Sequence, residues 1–168
     1  MRILKLEDFI SIENYVLRNI SWIIYENPIE EMEIYDEDYN YMKPDEAFFN
    51  KVLIEKNHSN KNKRYLVLPV QRFAKNYKVI VLSDEEITIK ELLLTIYKFY
   101  NEKVLTFEEI KEIDDDDVFN YVTDACNYFK KGEIVHYIDV MGDKRFYEFI
   151  YSYVDGSGDT QYILSLAS

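Results

Sequence analysis

Three groups of residues have the types that chemistry needs: the run Asp114-Asp115-Asp116-Asp117, the histidines His58 and His136, and six bases, Lys61, Lys63, Arg64, Arg72, Lys75 and Lys78. Oxygen-rich runs suit hard cations such as Mg²⁺ or Ca²⁺. Four successive carboxylates point in different directions, however, and no glycine sits where an EF-hand makes its tight turn. The run therefore reads as charge at the start of a helix on a solvated face. A metal-dependent enzyme using Asp114 to Asp117 is kept as an alternative. The chain has no glycine-rich phosphate loop, no Cys or His pair at metal spacing, no G-x-S-x-G and no H-E-x-x-H. The expectation is a non-enzymatic protein with no catalytic residue, no metal and no cofactor. His136 shares a strand face with large apolar residues and reads as a hydrogen-bonded core histidine.

The six bases lie between Asn57 and Leu82, a stretch without a single acid in a chain of net charge −12. Loop bases beside Tyr65, Phe73 and Tyr77 can grip phosphate or an acidic protein. Their other use is internal, balancing the acids of residues 26–46 or of another subunit. The overall charge opposes whole-surface binding of nucleic acid, which needs phosphates neutralised by Lys and Arg. Tyr147, Phe149, Tyr151 and Tyr153 form an aromatic stripe that could stack single-stranded bases. Few basic residues flank it, so the stripe is assigned to the core.

At 168 residues with 48% hydrophobic composition, the chain suits one domain. The lone Cys126 cannot form an internal disulfide and points to a reducing, intracellular site. No run approaches 18 apolar residues, and acids follow the N-terminus where a signal peptide needs its apolar run. Neither export nor a membrane is expected.

Hydrophobic spacing predicts a helix over 7–25 closed by Asn27-Pro28, then an acidic, tyrosine-rich surface loop, then a helix from about Pro44 to Lys56. Tyr65 to Leu68 and Tyr77 to Leu82 read as two buried strands joined by a turn at Ala74-Lys75-Asn76. Thr88-Ile89-Lys90-Glu91 and Thr106-Phe107-Glu108-Glu109 have the form of capping boxes, each starting a helix. A further helix over about 116–130 ends at Lys130-Lys131-Gly132.

The last 37 residues read as a three-stranded meander, with strands at about 133–141, 145–154 and 159–167. Ile134, His136, Ile138 and Val140 alternate on one face, and Gly142-Asp143 suits a two-residue turn. The second loop could hold four or five residues; keeping apolar opposite apolar selects four and pairs Tyr151 with Tyr162, Phe149 with Leu164 and Tyr147 with Leu166. The expected fold is a single α+β domain over 1–168, with helices packed on an antiparallel sheet.

The series from Ile87-Thr88-Ile89-Lys90-Glu91 to Tyr100, with Leu105-Thr106, Asp115-Asp116-Asp117-Val118-Phe119, Asp139-Val140-Met141-Gly142-Asp143 and the terminal Leu164-Ser165-Leu166-Ala167-Ser168, resembles small uncharacterised proteins of large nucleocytoplasmic DNA viruses. The resemblance covers about residues 87–168 and carries no activity to any residue. It implies a virion component or a host-directed binder, located in host cytoplasm or virion. The expected function is thus protein contact, with a protein partner or self-association. Nucleic-acid binding through residues 57–80 is the alternative from another class.

Overall fold

The computed structural model describes residues 15–70, 77–113, 121–143 and 145–168. Its frame is a five-stranded sheet built from β1 (Tyr15–Leu17), β6 (Arg64–Pro69), β7 (Tyr77–Val81), β9 (Phe146–Val154) and β10 (Thr160–Ala167), in the order β1-β9-β10-β6-β7. Two small sheets flank it. One is β2 (Ile20–Ser21), β3 (Glu33–Tyr35) and β4 (Tyr41–Met42); the other pairs β5 (Val52–Ile54) with β8 (Ile87–Thr88). The helices are α1 (Pro28–Glu31), α2 (Glu46–Phe49), α3 (Ile89–Asn101), α4 (Phe107–Glu112) and α5 (Tyr121–Lys130). The chain is a single α+β domain.

Both expected capping boxes are present. The Thr88 hydroxyl accepts from the Glu91 amide at 3.2 Å while the Glu91 carboxylate accepts from the Thr88 amide at 2.7 Å, and Thr106 and Glu109 repeat the arrangement. From that start α3 buries Leu92, Leu93, Ile96 and Tyr100 completely, at the i, i+3, i+4 spacing of an amphipathic helix. They share one core with Leu66 and Leu68 of β6, and the Tyr100 hydroxyl donates to the Pro69 carbonyl at 2.6 Å. Helix α3 therefore lies over one face of the sheet.

Several expectations are corrected. Residues 15–25, read as the end of a helix, form β1, β2 and a bridge from Ile23 to Phe146, because the open edge of β9 pairs with Tyr15 and Leu17 and offers this β-branched segment a ladder. Residues 7–14 lie outside the described residues. Asn27-Pro28 does not end a helix but begins one: the Asn27 side chain accepts from the Ile29 amide at 3.0 Å, and Pro28 takes the first helical position. The helix expected from Pro44 to Lys56 stops after one turn, since Val52–Ile54 pairs with Ile87 and Thr88.

The meander loses its first strand. Residues Tyr137–Val140 form a 3-10 helix; Val135 ahead of it and Tyr137, Val140 and Met141 are buried, whereas Ile134 is 67% exposed. His136 is half-buried, not a core residue, with Nδ1 3.8 Å from the Asp139 carboxylate. The sheet is also not purely antiparallel, because β10 runs parallel to β6, pairing Thr160 with Arg64 through Ile163 with Val67. The hairpin loop has five residues. Asp155 Oδ1 accepts from the amides of Ser157 and Asp159, and the Asp155 amide donates to the Asp159 carbonyl at 2.9 Å, so loop hydrogen bonding outweighs the apolar pairing. Tyr162 consequently faces Ser152 and Leu164 faces Ile150; only Leu166 meets Tyr147 as expected, after a bulge that leaves Glu148 as the extra residue of β9.

Gly142 has φ +60, and a Cβ there would lie 2.5 Å from the Tyr121 ring, while Gly156 has open space around it. Gly142→Ala should therefore destabilise the protein by about 2 kcal/mol, lowering Tm by roughly 4 to 8 °C, and Gly156→Ala should leave it within about 0.5 kcal/mol. Thermal melts followed by circular dichroism distinguish the two.

Candidate interaction surface

The structure separates the four described bases, Lys61, Lys63, Arg64 and Lys78. Arg64 is 6% exposed, and its guanidinium donates to the carbonyls of Glu55 and Ser83 and, at 2.8 Å, to that of Glu85. Those carbonyls follow β5 and β7, so Arg64 is a structural cross-brace and is not available to an external anion. Its Nε is buried without a protein partner. Lys61 and Lys63 are exposed in the 57–63 loop, which is ordered by its own polar groups: the Asn57 side-chain amide donates to the Asn62 carbonyl and the Asp84 carboxylate, both at 2.9 Å. The Lys63 amide donates to Asp159 Oδ1 at 2.7 Å. Two acids thus lie against the loop that carries the bases. Lys78 is half-buried on β7, on the helix side of the sheet, and Arg72 and Lys75 lie outside the described residues.

Asp114 to Asp117 also lie outside the described residues, and among the described residues no group of three His, Cys, Asp or Glu could hold a metal ion. No helix of the described residues is long and apolar enough to cross a membrane. The hairpin loop offers one perturbed carboxyl. Hydrogen bonds from the Ser157 hydroxyl, the Gln161 side chain and the Ser157 and Asp159 amides hold Asp155 down at about 2. Its oxygens are engaged in building the turn.

The other candidate surface is the sheet face turned away from α3. Register defines it. Tyr15, Tyr151, Ile163, Val67 and Val79 lie side by side across all five strands, and Tyr153, Gln161, Tyr65 and Val81 form the next row. Neither row holds a charged side chain. The bulge at Glu148 produces this arrangement by turning Tyr147 into the core while Phe149, Tyr151 and Tyr153 remain on the far face. The aromatic stripe assigned to the core is therefore split. Tyr15 meets Phe149 edge to face at 5.0 Å, and burial, followed by the neighbouring Tyr77 and Tyr153, raises the Tyr151 phenol above its ordinary value.

At one side this face ends in β7, read from sequence as buried and found, among the described residues, at the sheet edge. Tyr77, Val79 and Val81 are 46%, 56% and 62% exposed. The Leu82 amide donates to the Arg64 carbonyl at 2.8 Å, which fixes the alternation of the antiparallel ladder. Residues 78, 80 and 82 turn their backbone groups to β6, and residues 77, 79 and 81 turn theirs outward. The three exposed apolar side chains thus belong to the residues with outward N–H and C=O groups. Beside this edge, on the helix side, β7 and α3 enclose a groove of about 500 Å³ lined by Ile80, Leu82, Glu86, Glu91 and Leu94 among others. Sequence reading missed the edge because Val79-Ile80-Val81-Leu82 is apolar without alternation, the pattern of a strand covered on both faces.

Removing the Arg64 guanidinium unties the Glu55, Ser83 and Glu85 carbonyls from one charged donor, so Arg64→Met should cost about 3 kcal/mol, whereas Lys61→Glu and Lys63→Glu should each stay within about 0.5 kcal/mol. Urea denaturation of the three variants tests this. For Asp155, whose carboxyl is depressed, the stabilisation is present above the unfolded-state value and is lost as pH falls through about 2. The Ser157 and Asp159 amide resonances should accordingly titrate with a midpoint near 2 and should not move between pH 5 and 7.

No family model, no curated protein and no solved structure matches this chain.

Proposed function

We propose that this is a non-enzymatic protein-interaction module that docks a partner protein on the sheet face turned away from α3 and the adjoining edge of β7. One observation carries the reading: three alternate apolar residues, Tyr77, Val79 and Val81, are exposed on an edge strand whose outward backbone groups have the geometry to accept another strand. Edge strands in soluble proteins are ordinarily short, charged or covered, because an open apolar edge invites pairing. Strand addition combines main-chain hydrogen bonds with side-chain contacts at alternate positions. The high negative charge elsewhere keeps contact local, since whole-surface approach of another acidic protein is repelled.

The resemblance of residues 87–168 to small proteins of large DNA viruses supports a virion component or a host-directed binder as the setting for such a module. The nucleic-acid alternative is weaker. With Arg64 engaged on carbonyls, it rests among the described bases on Lys61 and Lys63 in the loop and Lys78 on the opposite face of the sheet.

A photo-cross-linking residue at position 79 or 81 should give discrete protein adducts in cells that make the chain, and the same residue at the exposed position 133 should not. Adducts at 133 equal to those at 79, or none at 79 and 81, would overturn the reading.

A further inference from the structure

We infer that the occupant of the β7 edge is a second copy of this chain, paired antiparallel about a two-fold axis through Val79. The inference rests on the interaction-module reading and names its partner.

The register is self-complementary. An antiparallel pair exchanges both N–H···O=C bonds only between residues that turn their backbone groups toward each other. On β7 these are Tyr77, Val79 and Val81. A two-fold axis at Val79 sets Val79 opposite Val79 of the second copy and Tyr77 opposite Val81 in both directions. All three outward residues are then matched, giving about six inter-strand hydrogen bonds. On the face turned away from α3 the same pairing brings valine against valine and tyrosine against valine, cross-strand pairs of the kind that stabilise sheets. The row from Tyr15 to Val79 would continue without a charge into the second sheet.

Charge follows the same symmetry. Lys78 projects on the helix side of an edge strand, a position where an unmatched charge discourages pairing. Exposed Asp84, Glu85 and Glu86 follow the other end of β7. Antiparallel association places the basic end of one strand beside the acidic end of the other. Lys78 of the second copy falls opposite Ile80, next to the groove that Glu86 and Glu91 line. In this arrangement the lysine that would discourage an unrelated strand lies beside acids. A five-residue edge buries less than the standard interface of about 800 Å² per partner, so the dimer belongs at the weak end, with Kd on the order of 10 μM.

The test is sedimentation velocity of the full chain from about 1 to about 300 μM, a range that brackets that Kd. The unmodified chain should shift from monomer to dimer. Val79→Lys and Val79→Glu each place like charges face to face on the axis and should each raise Kd at least about 30-fold, with circular dichroism unchanged because Val79 is exposed. Mixed in equal amounts, the two variants should form a heterodimer, since residue 79 meets only itself across the axis. A strictly monomeric unmodified chain overturns the inference, as does a dimer indifferent to both variants, or a mixture that stays monomeric. If the unmodified chain is monomeric yet position 79 still cross-links to a different protein, the second-copy inference fails and the module reading stands. If neither occurs, both fail.

Discussion

The arrangement depends on one buried guanidinium. Arg64 opens β6 and ties three carbonyls from the segments after β5 and β7, while the neighbouring Lys63 backbone donates to Asp159 and accepts from the Thr160 amide at 2.9 Å. Burying an arginine is costly unless its donors are met, and here carbonyls meet most of them. The same corner locks β6 between β7 and β10. Because β10 runs parallel to β6, a long crossover must join them, and it holds α3, α4 and α5. Helix α3 covers one face of the sheet and leaves β7 at the edge. The interaction surface follows from this closure.

What could be read from sequence was local. The two threonine capping boxes carry their own geometry, a hydroxyl and a carboxylate three residues apart, and both stand where the sequence put them. The strand character of 65–68 and 77–82 also held. Position within the sheet was another matter. Val79 to Leu82 looks the same whether a strand is central or at an edge, and only pairing partners far along the chain decide. The segment 133–141 alternates like a strand, yet packing of Tyr137 on Phe99, with ring centroids 4.6 Å apart, favours a helical turn that alternation does not announce.

The hairpin shows how a single loop redistributes a surface. Asp155 gathers the amides of Ser157 and Asp159 and fixes five loop residues, one more than apolar matching would choose. Tyr147 still reaches the core because the bulge at Glu148 restores its register, and its hydroxyl donates to the Leu17 carbonyl at 2.8 Å. Phe149 and Tyr151 are left on the far face. Among the described bases, Arg64, which sequence ranked with the rest, is the one the fold buries. Composition could not distinguish it, since burial depends on its place at the start of a central strand.

Among the described residues β7 is the last strand of the sheet, and its odd-numbered residues turn their backbone outward. Amide hydrogen exchange of the dilute chain, read residue by residue, tests it most directly. Tyr77, Val79 and Val81 should exchange fast, and Lys78, Ile80 and Leu82 slowly. Uniformly slow exchange along β7 at concentrations too low for association would contradict it.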